Sequence, residues 1–394
     1  MKQVLAGYRV LDFGRFISAP WCTAIFADLG ADVIRIEKRE GGEDRWVQSV
    51  SPDGTGAGFL QCNRNKRSMT LDPGTEEGRE VVRKLVATAD VVVVNVPDVV
   101  MTQWGLDYPT LRSIKPDIIL ASATAYGRGG PKSERVGFDG IGQAMSGATH
   151  CTGLPERPFR TAVPFVDFAT ALSLAIGTSM ALLHRERTGE GQEVEAALLP
   201  SAMMVSNALL IEEAVLHTNR GRVGNKGMAI GPCDLFQLDD GWMLVQVTGQ
   251  AMFKRWCRVV DRASWFEDPR FADDALRAAN GDVLNGRMQE WCVGKTLDVA
   301  IEALDAARIP AAPMLSPRGV LEDPHVRAMG FLKPIDYPGL PEPAPIIETP
   351  FRMSATPGTI RTRPPILGEH TDVVLGELGY DDAQIAALRE RHVI

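Results

Sequence analysis

The sequence predicts an α/β protein with a parallel sheet in its first half and a separate, smaller α+β domain behind it. Three observations carry this reading. Short apolar runs alternate with helix-length segments over residues 1–200, the pattern of a parallel sheet covered on both faces. The texture then changes to a glycine-rich basic stretch, an alternating hairpin and several amphipathic helices. Finally, Lys333 to Pro365 holds nine prolines, which predicts an extended return without regular structure, and an acidic helix-forming segment follows. The expected boundaries are 1–200 for the large domain, 201–225 for a linker, 226–325 for the small domain, 326–365 for the return linker and 366–394 for the last segment. A length of 394 residues fits two to three domains.

In order, Tyr8 to Phe13 is a strand, Gly14 to Pro20 a turn, and Ala19-Pro20 opens a helix in which Trp21, Ile25 and Phe26 face the core. Gly30 ends that helix, and Ala31 to Ile36 is the next strand, finishing at Glu37-Lys38-Arg39. This β-α-β unit imitates a dinucleotide site, but its turn reads Gly14-Arg15-Phe16-Ile17-Ser18-Ala19 and lacks GxGxxG. NAD and FAD are therefore not expected. Ser68 to Leu71, Val91 to Val96 and Ile118 to Ala125 read as further strands, with an amphipathic helix at 75–88 and a flexible loop at Tyr126 to Pro131. An apolar run, Ala162 to Val166, reads as a strand that brings Asp167 to a strand-to-helix junction; the long helix closes with His184, Arg185, Arg187 and Gly189, and a second strand follows. Residues 200–222 read as a helix plus a polar connection, and Cys233 to Val247 as a hairpin around Asp239-Asp240-Gly241. Helices are expected at 251–261, 282–293 and 296–307.

The apolar fraction of 45% and charged fraction of 23% are those of a globular protein. A net charge of −8 argues against nucleic acid as the partner, because no basic excess exists to neutralise a phosphate backbone. Six scattered cysteines, with no CxxC pair and no histidine at ligand spacing, predict reduced, mostly buried thiols, no metal and a cytoplasmic setting. The N-terminus starts directly as a strand, with no signal peptide. No membrane span is expected, since Thr170, Ser173, Thr178 and Ser179 interrupt the most apolar helix.

Ligands of a parallel sheet sit at the carboxyl ends of its strands, here the loops after Phe13, Glu37, Asn95 and Ala125, and Asp167. Asp167 has two readings. It is the cap of its helix, accepting N–H bonds from the first turn, or a nucleophile kept ionised by the helix N-terminus. Both use the same geometry. Arg15, Lys38, Arg39, Arg64, Lys66 and Arg67 are either solvated charges or, for the three at strand ends, contacts to an anionic cofactor. The glycine-rich segments 127–130 and 224–231 are turns or lids. His150, His184, His217, His325, His370 and His392 have no Ser or Cys partner in a motif and read as structural.

Several stretches together resemble the class III coenzyme A transferases, the family of formyl-CoA transferase and carnitine CoA transferase. They are Leu11-Asp12-Phe13 with Ala19-Pro20, Leu29 to Ile34 leading into Ile36-Glu37, and Asn63 to Leu71. Ala89-Asp90-Val91 with Asn95, Thr188 to Gln192, and Leu367 to Asp372 complete the set. The resemblance covers nearly the whole chain. It implies a Rossmann-like large domain built from both chain ends, a smaller α+β domain and an interlocked homodimer. It also implies coenzyme A as acyl-CoA substrate and product, with a free carboxylic acid as partner and neither metal nor NAD. It places the catalytic aspartate on Asp167, acting through an aspartyl anhydride and an aspartyl-CoA thioester. CoA contacts fall on Arg15, Phe16, Lys38, Arg39, Leu71, Asn95, Val96, Trp104, Thr124 and Tyr126, and an oxyanion-stabilising glycine loop on Gly227 and Gly231.

The sequence departs from the family at Pro97 and Gln103, where an Arg is common, and at Thr124, a basic position in formyl-CoA transferase. These differences bear on acid specificity. The related α-methylacyl-CoA racemases carry a Gly-His-Asp run because α-proton exchange needs two bases. Here the run is Gly137-Phe138-Asp139, and Phe138 cannot carry a proton. Transferase is therefore favoured over racemase, with a non-catalytic CoA-binding protein as the third reading.

Overall fold

β1 (Arg9–Asp12) sets the sheet, sending Leu11 into an apolar cluster on one face and Val10 into the cluster on the other. After α1 (Ser18–Asp28), β2 (Asp32–Glu37) splits Ile34 and Val33 the same way. α2 (Ala57–Cys62), β3 (Lys66–Thr70) and α3 (Glu76–Thr88) follow. Thr75 caps α3 by accepting the Gly78 N–H at 2.9 Å, and Val81, Val82, Leu85 and Val86 bury its inner face. β4 (Val91–Val94) is valine throughout because both of its faces are covered. α4 (Asp98–Trp104), α5 (Tyr108–Ile114), β5 (Ile119–Thr124), α6 (Asp139–Met145) and the one-turn α7 (Ala148–Cys151) come next. The two-residue strands β6 (Gly153–Leu154) and β7 (Arg157–Pro158) pair with each other. α8 (Phe165–Thr188), closed by left-handed Gly189, then leads to β8 (Glu193–Ala197) and α9 (Leu198–Leu216).

In this computed structural model, which describes residues 3–394, the six-stranded sheet has the order β3-β2-β1-β4-β5-β8, and its neighbouring strands all run parallel. That is the order of a doubly wound sheet, with its reversal between β1 and β4. The α/β class expected from the apolar runs is therefore present.

The chain divides into two compact units. The first comprises 1–148, 161–212 and 329–394, so both chain ends build it; the second comprises 149–160 and 213–328. In the first, α16 (Thr371–Glu377) and α17 (Asp382–Glu390) add Val374, Leu375, Ile385 and Leu388 to one cluster beside the sheet, while α1 and α8 supply the other. In the second, β9 (Cys233–Gln237) and β10 (Trp242–Gln246) form the expected hairpin, and β11 (Ala311–Pro313) extends it. α10 (Gly249–Val259), α11 (Asp274–Ala279), α12 (Gly281–Cys292) and α13 (Leu297–Ala306) accompany it around Phe253, Trp256 and Met288. α14 (Pro317–Glu322) and α15 (Pro324–Met329) precede the return.

Four expectations need correction. The run Ala162–Val166 is not a strand: α8 begins at Phe165, with Pro164 as its cap residue. The linker expected at 201–225 is shorter, because the helix read at the start of 200–222 is α9 and runs to Leu216. The return stretch is not without regular structure, because β12 (Leu332–Ile335) and β13 (Ala344–Ile347) form an antiparallel ribbon. Pro334 stands directly opposite Pro345, so their missing N–H groups coincide at one pair and leave the neighbouring pairs free to bond. Lastly, α8 and α9 are both long and apolar enough to cross a membrane by length and composition alone. The hydroxyls of Thr170, Ser173, Thr178 and Ser179 do not interrupt α8, since each donates to the carbonyl four residues back at 2.7–2.9 Å. The inner side of α8 lies in the core at Ala171, Leu174 and Leu182, whereas Ile176 and Met180 are exposed, as are Met203, Met204 and Ile211 on α9.

Candidate active site

The loops at the carboxyl ends of β1, β2 and β3 surround a cleft. Phe13, Gly14 and Arg15 line it after β1, Glu37, Lys38 and Gly42 after β2, Leu71 to Pro73 after β3, and Trp104 from the end of α4. Gly14 allows the turn to fold back on α1: a Cβ there would stand 2.5 Å from the Ala19 Cβ. Its N–H donates to Asp12 Oδ1 at 2.8 Å. Asn95, after β4, clamps the same loop by accepting the Arg15 N–H at 2.8 Å and donating to the Arg15 carbonyl at 2.7 Å. The sheet's reversal point is thus pinned from both sides.

Below this edge the charges are structural. Lys66 is buried and donates to Asp12 Oδ2 and the Pro20 carbonyl at 2.8 Å and to Asn63 Oδ1 at 2.9 Å. Burial opposes Asp12's charge, yet Lys66 and Arg35 outweigh it and hold the carboxyl below its usual range. Arg64 pairs with Asp28, and Arg67 with Asp32 and Glu377. None of these three cations reaches the cleft. At its rim, Lys38 donates to Glu43 at 2.8 Å, and that bond holds the Glu43 carboxyl below the ordinary range. Arg15 stands 3.6 Å from the same Glu43. Arg39 is exposed, and among the described residues it has no ion pair or hydrogen bond.

A continuous path leads from the cleft to Asp167. Phe16, next to Arg15, has φ 61°, a left-handed conformation costly for a bulky residue. In that conformation its ring meets Phe138 edge to face, with centroids 5.5 Å apart, although Phe138 is 60% exposed. The next residue, Asp139, is buried, and its Oδ2 accepts the N–H groups of Val166 at 2.7 Å and Asp167 at 3.2 Å. Gln143, one turn along α6, donates to Asp139 Oδ1 and accepts the Thr161 N–H at 2.9 Å. Gly142 makes the approach of α6 to α8 possible, since a Cβ there would fall 2.7 Å from Val166 Cγ1.

These contacts separate the two readings of Asp167. It is not the cap. Asp139 accepts the orphan N–H groups of the first turn, in place of Pro164, whose side chain offers no acceptor. The Asp167 carboxyl is half-buried and has no hydrogen bond among the described residues. Burial first, and then the charge of Asp139, pushes its pKa up to about 7. Desolvation and a like charge thus oppose the ionisation that a helix N-terminus favours. The result is a free carboxyl poised near neutrality, the condition of an activated carboxylate nucleophile.

Of the remaining residues named from sequence, Arg15, Lys38, Leu71 and Trp104 share the cleft, Leu71 as its apolar floor and Trp104 facing Phe13 with centroids 6.4 Å apart. Val96 packs against the core, and Tyr126 is half-buried after β5. Thr124 is engaged in ordering its own loop, accepting from the Gly127 N–H and donating to Glu195, each at 3.0 Å. Gly227 and Gly231 belong to the second unit. There the Gly227 N–H donates to the Cys233 carbonyl at 3.0 Å, and a Cβ would lie 2.7 Å from the Ile230 carbonyl at Gly227 and 2.8 Å from the Arg277 carbonyl at Gly231. The contacts of Asp139 and Gln143 with the start of α8 were not read from the sequence. Their signal was an acid that closes the run distinguishing the racemases, with an amide one helical turn further on.

Known proteins resemble this chain along nearly its whole length. The model of CoA-transferase family III matches residues 5–371. The chain is 34% identical to the beta subunit of succinyl-CoA–L-malate CoA-transferase of Chloroflexus aurantiacus, across 99% of this chain and 98% of that one. It is 33% identical to succinate–glutarate CoA-transferase of Agrobacterium fabrum, across 96% of each. A solved CAIB/BAIF family protein from Brucella suis has a TM-score of 0.84 at 33% identity, covering 96% of this chain and 100% of its own. With the match running nearly end to end over a doubly wound sheet, this chain belongs to CoA-transferase family III and is an enzyme of that class.

Proposed function

We propose that the enzyme moves coenzyme A from an acyl-CoA to a free carboxylic acid through covalent chemistry on Asp167. The observation that carries this is the free, half-buried Asp167 carboxyl with its pKa near 7, on a chain of this family. A carboxylate oxygen of Asp167 attacks the thioester carbonyl, the C–S bond breaks, and a mixed anhydride and CoA thiolate form. The thiolate attacks the aspartyl carbonyl, releasing the donor acid and leaving aspartyl-CoA thioester. The acceptor carboxylate attacks that thioester and expels the thiolate again. A last thiolate attack on the acceptor's acyl carbon makes the new acyl-CoA and returns Asp167. Charge passes between carboxylates and thiolate throughout, so no proton-carrying partner is required, consistent with Phe138 in the histidine position of the racemases.

The cleft is the proposed seat of the CoA nucleotide, with Trp104 offering an aromatic face and Lys38 a cation to the phosphates; Arg39 does not line the cleft but follows Lys38 as an exposed cation at its edge. The path Arg15–Phe16–Phe138–Asp139 then marks the way to the reacting carboxyl. Arg39→Ala should raise KM for the acyl-CoA by about tenfold with kcat nearly unchanged, the signature of lost uniform binding; an unchanged KM argues against this placement.

Hydroxylamine added with an acyl-CoA and no acceptor should convert Asp167 to its hydroxamate, read by peptide mass. If Asp167 stays unmodified while the thioester is consumed, the covalent reading fails.

A further inference from the structure

Asp139 takes no part in the chemistry just described, yet it makes the closest polar contacts to the turn that bears the nucleophile. It is 7% exposed and spends one oxygen on two N–H groups of that turn, including the N–H of Asp167 itself. Its other oxygen is held by Gln143, which reaches on to the Thr161 N–H ahead of α8. A helix preceded by proline has no side-chain cap of its own, and here the acceptor comes from a different helix, 28 residues back in the chain.

We propose that Asp139 is the positioning residue of this enzyme. Its buried carboxylate braces the first turn of α8 so that Asp167 is held in one place, and its fixed negative charge keeps Asp167 a strong nucleophile. The inference rests on Asp167 being the nucleophile. A brace removes the freedom of the turn before substrate arrives, so the carboxyl meets the thioester carbon without reordering. A neighbouring anion destabilises the charge on Asp167, which makes that carboxylate more ready to give its electrons to an acyl carbon. Among the ionisable groups on α1, α6, β5 and β8 packed against α8, Asp139 is the one whose charge acts on Asp167. Brace and field therefore come from one residue and can be separated.

Asparagine at 139 keeps an oxygen for the two N–H groups and removes the charge; alanine removes both. The readout is the rate of hydroxamate formation at Asp167 against pH, with an acyl-CoA and hydroxylamine, in the full-length enzyme. For wild type the rate should rise through a midpoint near pH 7. In Asp139→Asn labelling should remain at Asp167, with the midpoint lowered by about one pH unit. In Asp139→Ala the plateau rate should fall by about 100-fold. Gln143→Leu retains the charge but frees Asp139 to swing, and should lower the plateau with an unmoved midpoint. An unshifted midpoint in Asp139→Asn overturns the field, and an undiminished plateau in both Asp139→Ala and Gln143→Leu overturns the brace. Wild type that never labels Asp167 defeats the nucleophile reading instead, so the two failures are distinguishable.

Discussion

Asp167→Asn should abolish CoA transfer and, above pH 7, make the protein more stable than wild type. The first effect follows from covalent catalysis: an amide has no free carboxylate oxygen to attack the thioester, and kcat should fall by about 10³-fold or more. The second follows from the sign of the pKa shift. The carboxyl titrates at about 7 in the folded protein against 3.8 ordinarily, so the folded state binds this proton more tightly than the unfolded chain. As pH rises from about 4 to 7 the unfolded state gains relative to the folded one, and the penalty is complete above 7. Asparagine carries no charge at any pH. The gain in Asp167→Asn should therefore be near zero at pH 4 and level off above pH 7 at about 2 kcal/mol, a value discounted for the carboxyl's remaining exposure. Denaturant midpoints at pH 5 and pH 8 check this. A variant less stable than wild type at pH 8 would show that Asp167 supports the fold rather than straining it.

What could be read from the sequence divides along the distance between interacting residues. Val91–Val94, the capped amphipathic helix after Thr75 and the hairpin around Asp240 are local patterns, and each stands where its period places it. α6 was not legible because Asp-Gly-Ile-Gly-Gln-Ala-Met has no apolar stripe; its glycines serve the approach to α8 rather than helix propensity. The capping of α8 was misplaced because the acceptor lies in another helix, and nothing within the run 160–170 reveals it. Cations such as Arg64 and Lys66 look like solvated charges in the sequence, yet their partners sit 36 and 54 residues away inside the core. The doubly wound core was legible from its strands. Reading Asp167 as a nucleophile rested on the family resemblance, since a lone acid beside a helix start is chemically ambiguous.

The largest stability effect should come from Asp28, at the end of α1. Its carboxylate is fully buried and collects Arg64 Nη2 at 2.7 Å, Asn65 Nδ2 at 2.8 Å and Thr349 Oγ1 at 2.7 Å. Thr349 belongs to the returning C-terminal segment, so one side chain joins α1, the lead-in to β3 and the far end of the chain within the first unit. Asp28→Ala strands a guanidinium that is itself 0% exposed, leaving it the Gln61 carbonyl at 2.6 Å and the face of Trp21 at 4.5 Å. An uncompensated buried charge costs about 3–5 kcal/mol, a large share of what a domain has. Arg67→Ala is the contrast: it removes ion pairs to Asp32 and Glu377 whose carboxylates remain more than a third exposed, and should cost about 1 kcal/mol or less. Removing charge from both sides, as Asp28→Asn with Arg64→Met, should recover most of the loss, because the penalty belongs to the unpaired ion and not to the absence of the pair. Denaturant unfolding of the four proteins tests the account. If Asp28→Ala and Arg67→Ala cost the same, burial is not what gives this ion pair its weight.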